Sequence, residues 1–516
     1  MTSLQKYLSL ALAALPLFGQ AQEKKNVLFI AVDDLKPILG CYGNELIQTP
    51  NIDKLASQGV VFANNHCQQA VCAPSRASLL CGVQPDRTKV WDLKTLIRDM
   101  NPDIVTIPQY FKQNGYFTTS VGKIFDKRSV DADHDEVSWS EPQVFEGDNK
   151  YVHSDYGRPA LGYYQLPCTK QKVAKYMKEA QAKGKKGYGI TKYAIERVKP
   201  STEMADVPDN AYVDGVLALS AIDRLEQLSK KDKPFFLGVG FKRPHLPFVA
   251  PTKYWNLYER EDIPLAPYQK ASKNGPKFAY HNSGELRSYT DIPPLNSFSD
   301  IGSDLLPVAK QKELIHGYYA AISYIDAQVG KVLSALDSLG LRKNTVIILW
   351  GDHGWHLGDH GIWCKHTNFE QATRSPLIIS NGNGHQSVCS SPTEFLDVFP
   401  TLCDLAGIDI PNNLDGVSLR PIIENNRDKV KDYSVSQFHR GKNEGYAFRT
   451  ERYRLVVWVK DMFRKPNDFK EDNIIAEELY DYQEDPHETV NVADQKKYRK
   501  VKQEMMTYCR DYFKNR

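Results

Sequence analysis

The chain has 516 residues, 41% hydrophobic and 25% charged, a composition that excludes long disorder, collagen and coiled coil. Lys and Arg number 66 against 63 Asp and Glu, a formal net charge of +3. A dedicated nucleic-acid binder carries a strong basic excess, so that class is set aside. No internal run approaches the ~20 apolar residues of a bilayer span, and no membrane-spanning segment is expected.

The first residues read as a leader. Lys6 precedes a charge-free apolar stretch, Tyr7 to Phe18, and then Gly19-Gln20-Ala21. This is the pattern of a secretory signal cut after Ala21, and residues 1–21 are assigned to it. Export places the mature chain outside the cell or in a periplasm. In that oxidising setting some of the nine Cys (Cys41, Cys67, Cys72, Cys81, Cys168, Cys364, Cys389, Cys403 and Cys509) could form disulfides. An odd count leaves at least one unpaired.

Val27 to Val32 is a continuous apolar run ending at Asp33-Asp34, followed by a helical pattern from Pro50 to Gly59. Such a run predicts a buried strand of a parallel sheet. Thr118–Val121, Pro234–Phe241, Thr345–Trp350 and Leu377–Ser380 read the same way. Helical patterns lie between them, at Thr106–Asn114, Tyr212–Leu228, Val308–Leu339 and Thr393–Ala406. Alternation of this kind predicts an α/β sandwich. Ligands of such sheets collect at the carboxyl ends of strands. The loops there carry Asp33-Asp34, Lys123, His245 and Asp352-His353.

Residues 169–199 hold ten Lys or Arg against Glu179 and Glu196. The stretch is read as an insertion, about 150–210, either a solvated segment or a basic lid near an anionic polymer. After about residue 425 the texture changes. Tyr433–Phe438, Gly445–Arg449 and Tyr453–Val459 read as short strands and Asp494–Phe513 as a helix. The expected organisation is a main domain, 22–425, and a smaller α+β domain, 426–516.

The most specific signal is Val71-Cys72-Ala73-Pro74-Ser75-Arg76, opening a helical stretch from Ser75 to Leu80. A nucleophile at a helix N-terminus sits at the positive end of the dipole, which suits an anionic ester. Two acidic clusters, Asp33-Asp34 and Asp352-His353, each follow a predicted strand. Hard divalent cations prefer several carboxylate oxygens, so Asp33, Asp34 and Asp352, beside Cys72, would make a cation cage. His353 is a softer member of that set. Arg76, Lys123 and Lys365 supply the fixed positive charge that transfer of an anionic group needs.

Cys72-x-Pro74-Ser75-Arg76 resembles the signature of type I sulfatases. The resemblance implies an alkaline-phosphatase-like sandwich with a large mixed, mostly parallel sheet flanked by helices. It also implies that a maturation enzyme oxidises Cys72 to formylglycine, the nucleophile, beside one Ca²⁺; removing Cys72 would leave eight Cys. The wider similarity is to the iduronate-2-sulfatase branch. It is carried by Asp33-Asp34-Leu35-Lys36-Pro37, Gln69 to Arg76, Lys242-Arg243-Pro244-His245-Leu246-Pro247-Phe248, and Asp352 to Gly361 with Trp363 and Lys365. That branch has His where His353 stands, against Asn in the commonest pattern. It also has a His three residues after the Lys of Gly-Lys, where this chain has Asp126. A carboxylate there could orient Lys123 or contact a sugar hydroxyl.

The implied activity is exo-hydrolysis of a 2-O-sulfate on a non-reducing-end uronic acid of heparin, heparan or dermatan fragments. Another sulfated polymer, such as ulvan, is the alternative substrate; a metal-dependent phosphoesterase of the same superfamily and a non-catalytic polysaccharide binder are the alternative classes. His245 is the expected general acid, because imidazole titrates near neutrality. Lys123, His245 and Lys365 are expected on the sulfuryl oxygens. Trp355 and Trp363 are expected against a sugar face, with a core role as the other option.

Overall fold

The computed structural model describes residues 24–294, 305–382 and 384–514; the leader assigned to 1–21 lies outside them. Seven strands form the main sheet: β1 (Asn26–Val32), β2 (Val60–Phe62), β3 (Phe117–Gly122), β4 (Phe235–Phe241), β5 (Thr345–Gly351), β6 (Leu377–Ser380) and β7 (Ser387–Cys389). Their order is β7-β2-β6-β5-β1-β4-β3. The block β5-β1-β4-β3 is parallel. β6 runs antiparallel to both neighbours, and β7 is parallel to β2. All seven residues of β1 are buried, as a strand covered on both faces requires.

Alternation along β1 sorts its side chains between two cores. Leu28, Ile30 and Val32 join one cluster; Val27, Phe29 and Ala31 join the other. The helices are α1 (Cys72–Cys81), α2 (Pro167–Ala182), α3 (Tyr188–Ile195), α4 (Val213–Leu228), α5 (Val308–Ser338), α6 (Val398–Ala406) and α7 (Arg499–Lys514), with shorter turns between. α4 and α5 cover the first face, through residues such as Leu217, Leu225, Ile322 and Val329. α1 and α6 cover the second, through Ala77, Leu80, Phe399 and Leu402.

The C-terminal part holds an antiparallel sheet, β8 (Ser434–Arg440), β9 (Asn443–Arg449), β10 (Tyr453–Val459) and β11 (Ile474–Asp481). α7 covers one face with Met505, Met506 and Cys509. The other face, with Trp458 and Tyr480, packs on Ile362 and Phe369 of the main domain. The C-terminal sheet thereby backs the loop that carries Lys365.

The structure departs from the sequence reading in four places. β2 and β7 are three residues each and β11 carries Glu477 and Glu478, so none showed a long apolar run. The pattern at Thr393–Ala406 becomes helical only from Val398, after a two-residue strand and a 3₁₀ turn. There the Glu394 N–H donates to the Asp397 carboxylate. The basic segment folds into α2 and α3 around Val173, Ala194 and Val198. All nine cysteines are free thiols; Cys67, Cys81, Cys389 and Cys403 sit in one apolar cluster as small hydrophobes. The disulfides that an oxidising compartment would allow are not formed here.

Candidate active site

Parallel strands put their carboxyl ends on one edge. β1 delivers Asp33 and Asp34, β3 delivers Lys123, and β5 delivers Asp352 and His353. β4 leads into Lys242–His245, where the Arg243–Pro244 and Leu246–Pro247 peptide bonds are cis. The ends of β3 and β4 approach closely: a Cβ on Gly122 would lie 2.0 Å from the Gly240 carbonyl oxygen, and Gly122 has φ +83°. Only glycine meets both conditions. α1 points its N-terminus at the same place, with Cys72 as its first residue and Gly82 closing it in a left-handed conformation.

Arg76 organises the floor. It is fully buried. Its Nε donates to Asp352 Oδ2 at 2.9 Å and its Nη2 to Asp33 Oδ1 at 3.0 Å. Its Nη1 donates to the carbonyls of Lys123 and Ile124 at 2.5 and 3.0 Å. One guanidinium therefore ties the ends of β1, β3 and β5 to α1. Ser75 Oγ adds a bond to the Asp352 carbonyl.

The lysines neutralise the remaining carboxylate oxygens. Lys123 Nζ donates to both oxygens of Asp33 at 2.8 Å, and Lys365 Nζ to both oxygens of Asp34 at 3.0 and 2.9 Å. Burial pushes the Asp33 carboxyl up, but Lys123 and Arg76 outweigh it and hold the group well below the carboxylate range. At Asp34 burial is likewise outweighed, here by His245, Lys365 and His353, and the pKa falls to about 2. Both are carboxylates at any working pH.

Cys72 Sγ lies 3.6 Å from Asp34 Oδ1 and 3.4 Å from His353 Nε2. Burial, then Asp33, pushes its thiol well above the ordinary value. His353 Nδ1 faces the Gly354 carbonyl at 2.9 Å, leaving Nε2 toward Asp34 Oδ1 at 3.2 Å. Candidate ligand atoms of Asp34, Cys72, Asp352 and His353 lie within 4.8 Å of one another, as do those of Asp33, Asp34, Cys72 and His245. Carboxylate oxygens with one imidazole lone pair fit a divalent cation.

His245 sits at the mouth. Its Nε2 is 3.4 Å from Glu285 Oε1 and 3.8 Å from Asp34 Oδ2, and its Nδ1 is 2.6 Å from the Leu246 carbonyl. Glu285 also reaches Lys365 Nζ at 3.2 Å. Each ring nitrogen therefore has an oxygen within reach. A cavity of about 310 Å³ opens over Asp33, Lys123 and His245 and continues along Asp126, Arg128 and Tyr163.

The structure thus gathers Asp33, Asp34, Cys72, Arg76, Lys123, His245, Asp352, His353 and Lys365 at one place. Asp126 is beside them with both oxygens engaged: 3.2 Å from Lys123 Nζ, and accepting from Arg128 Nε and Nη2 at 2.8 and 2.7 Å. It orients cations and has no oxygen spare for a sugar hydroxyl. Trp355 and Trp363 are corrected to the core. Trp355 is fully buried and Trp363 nearly so. Trp355 lies under Lys365 Nζ, 4.8 Å from the ring centroid, against Tyr318 and Phe248. Neither indole offers a face to a sugar. Sequence reasoning missed Glu285 and Arg128, since neither lies in a motif and only the fold brings them to the site.

The model of the sulfatase family matches residues 25–408, and that of the N-sulphoglucosamine sulphohydrolase C-terminal region matches 358–514. Human iduronate 2-sulfatase is 34% identical over 90% of each chain. A solved structure in complex with its substrate D-glucosamine-2-N,6-O-disulfate superposes with TM-score 0.67 at 22% identity, covering 95% of this chain and 98% of that one. A solved 2-O glycosaminoglycan sulfatase gives TM-score 0.64 at 22% identity, covering 96% and 92%. Among the described residues no helix is long and apolar enough to cross a membrane. The matched family model, spanning the strands and loops that assemble this charged pocket, places the chain in the sulfatase family, the sulfuric ester hydrolases.

Proposed function

We propose that the chain is an exo-acting carbohydrate sulfatase that removes a 2-O-sulfate from the non-reducing-end uronic acid of heparin, heparan or dermatan fragments. The observation that carries the reading is the convergence on Cys72 of three buried carboxylates and the cations Arg76, Lys123 and Lys365. Similarity to iduronate 2-sulfatase over nine tenths of both chains supports the uronate.

Conversion of Cys72 to formylglycine by a maturation enzyme supplies a hydrated aldehyde whose hydroxyl is the nucleophile. The buried, protonated thiol of an unmodified Cys72 would be a poor one. Asp33, Asp34, Asp352 and His353, with an oxygen on residue 72, would hold one Ca²⁺, which makes such a hydroxyl more acidic. Arg76 fixes the carboxylates. Lys123 and Lys365 turn their ammonium groups to the sulfuryl oxygens and stabilise charge there. His245, at the cavity mouth, delivers a proton from Nε2 to the leaving sugar oxygen. The cavity admits a chain end to this floor, which favours exo action. The leader at 1–21 supports action in the periplasm or outside the cell.

The test is sulfate release from 2-O-, 6-O- and N-sulfated heparin disaccharides, chondroitin and dermatan units, and ulvan fragments. The protein is co-produced with a maturation enzyme, and conversion of Cys72 is verified by peptide mass. Release confined to 2-O-sulfated uronates is expected. A converted Cys72 with no release from these units refutes the uronate reading.

A further inference from the structure

Arg128 and Asp126 form a pair that the reaction described above does not use. Asp126 is buried, yet two residues on Arg128 is exposed, its side chain 44% accessible against 10% for Lys123. Asp126 takes the Nε–Nη2 edge of the guanidinium in a two-point contact, 2.8 and 2.7 Å, and the Arg128 backbone N–H also donates to it at 3.0 Å. This contact fixes the plane of the guanidinium. It leaves Nη1, and the end-on Nη1–Nη2 edge, facing away from Asp126 without a partner among the described residues. An arginine with one edge anchored and the other open is preorganised for a second planar anion.

The cavity wall around it is cationic. Lys127 is exposed and has no ion pair among the described residues; its Nζ lies over the Phe145 ring at 5.7 Å. Lys242, across the same ring, is already matched by Glu146 at 2.5 Å. Arg243 is occupied by the His245 and Pro247 carbonyls. The open positive charge is therefore Arg128 with Lys127. Asp126 Oδ2 bridges inward to Lys123 at 3.2 Å, so Lys123 on the floor and the exposed Arg128 form a row of cations through Asp126, with Lys127 lining the same cavity. A 2-O-sulfated hexuronate carries its two anionic groups on opposite sides of one pyranose ring, an order that matches this row.

We propose that Arg128, held by Asp126, and Lys127 bind the carboxylate of the uronate that bears the scissile sulfate. The assignment rests on the uronate reading of the site and names the residues that select the acid. Where the related branch has a His after the Gly-Lys pair, this chain has a carboxylate that moves the positive charge outward onto Arg128.

The test compares kcat/KM for a 2-O-sulfated uronate disaccharide and for its carboxyl-reduced counterpart, in the wild type, Arg128→Ala and Arg128→Gln. Gln is the control for folding, since it keeps a hydrogen-bond donor toward Asp126. Loss of a charge-assisted contact is worth about 10- to 100-fold. Reduction of the carboxyl should cost the wild type that factor. Either variant should lose a similar factor on the acid, chiefly in KM, and lose little more when the carboxyl is reduced. Lys127→Ala should show the same pattern with a smaller factor. Equal losses on acid and alcohol in both variants overturn the assignment while leaving the uronate reading intact. So does discrimination that follows a second sulfate group in place of the carboxyl. A wild type with no activity on any sulfated uronate overturns both.

Discussion

Lys123→Met separates catalysis from structure at the floor of the site. The ammonium contacts both oxygens of Asp33 at 2.8 Å and Asp126 at 3.2 Å. Removing one partner of a buried ion pair costs about 3–5 kcal/mol when the other is stranded. Here neither carboxylate is stranded. Asp33 keeps Arg76 Nη2 at 3.0 Å, and Asp126 keeps the Arg128 fork. Methionine preserves most of the stem volume. The stability loss should therefore stay at about 1–2 kcal/mol, below the stranded-ion range. If Lys123 turns to the sulfuryl oxygens in the transition state, its loss removes one preorganised charge, worth about 10²–10³ in rate. The assay is kcat/KM on an aryl sulfate, with thermal unfolding on the same preparation and Cys72 conversion checked by mass. A folded, converted variant that loses less than about tenfold refutes the role given to Lys123.

Three further expectations follow from the same coordinates. His245→Ala should slow sulfate release from a sugar by about 10²–10⁴ and barely affect a nitrophenyl sulfate, whose phenolate leaves without a proton; equal losses on both refute the general-acid role. Chelation should abolish turnover yet preserve the far-UV circular dichroism, because Asp33, Asp34 and Asp352 already face Lys123, Lys365 and Arg76, and Ca²⁺ should restore activity; loss of the folded signal on chelation would show that the cation is structural. At Asp359 burial raises the pKa, but the Lys36 ammonium at 3.0 Å and the Leu357 N–H outweigh it and bring the group to about 2. A depressed carboxylate stabilises the fold above its unfolded pKa and loses that contribution as pH falls through the folded value, here between about pH 4 and 2. Asp359→Asn should remove about 2 kcal/mol of pH-dependent stability over that window; an unaltered acid-unfolding profile refutes the pairing.

β1, β4 and β5 were legible because each is a largely apolar run with a polar or charged residue just past its end. β1 is seven buried residues followed by Asp33, and β5 seven followed by Asp352. The same signal is absent from β2, three residues long, and from β11, whose Glu478 is buried but accepts from the Trp458 indole and the Tyr480 hydroxyl. Tertiary partners, invisible in sequence, make such a residue tolerable in a strand. Cys72, Asp33, Asp34 and Asp352 stood out by motif and placement. Trp355 and Trp363 belong to the same motif, which left a sugar face and the core both open; their burial selects the core, because a motif reports which residues meet and not which of them face the cavity. Arg128 was illegible for the converse reason: its position depends on Asp126, and nothing in the spacing says that one carboxylate will orient two cations.

The charges of the floor explain how the chain folds around six buried ionised groups. Asp33, Asp34 and Asp352 are buried, and so are Arg76, Lys123 and Lys365; three negative charges meet three positive ones, and burial without such pairing would be prohibitive. The pairing also engages the two lysines that the proposed reaction uses. Lys123 Nζ and Lys365 Nζ are each held by two carboxylate oxygens. A divalent cation among the carboxylates would take over their neutralisation and free both ammonium groups to face the substrate. The added charge would also balance. Two positive charges would enter with the cation, and a monosulfated uronate brings two negative ones, the sulfate over Lys123 and Lys365 and the carboxylate at Arg128. Arg76 has further partners, because its guanidinium also holds the Lys123 and Ile124 carbonyls. It is therefore the most fully anchored of the three cations of the floor.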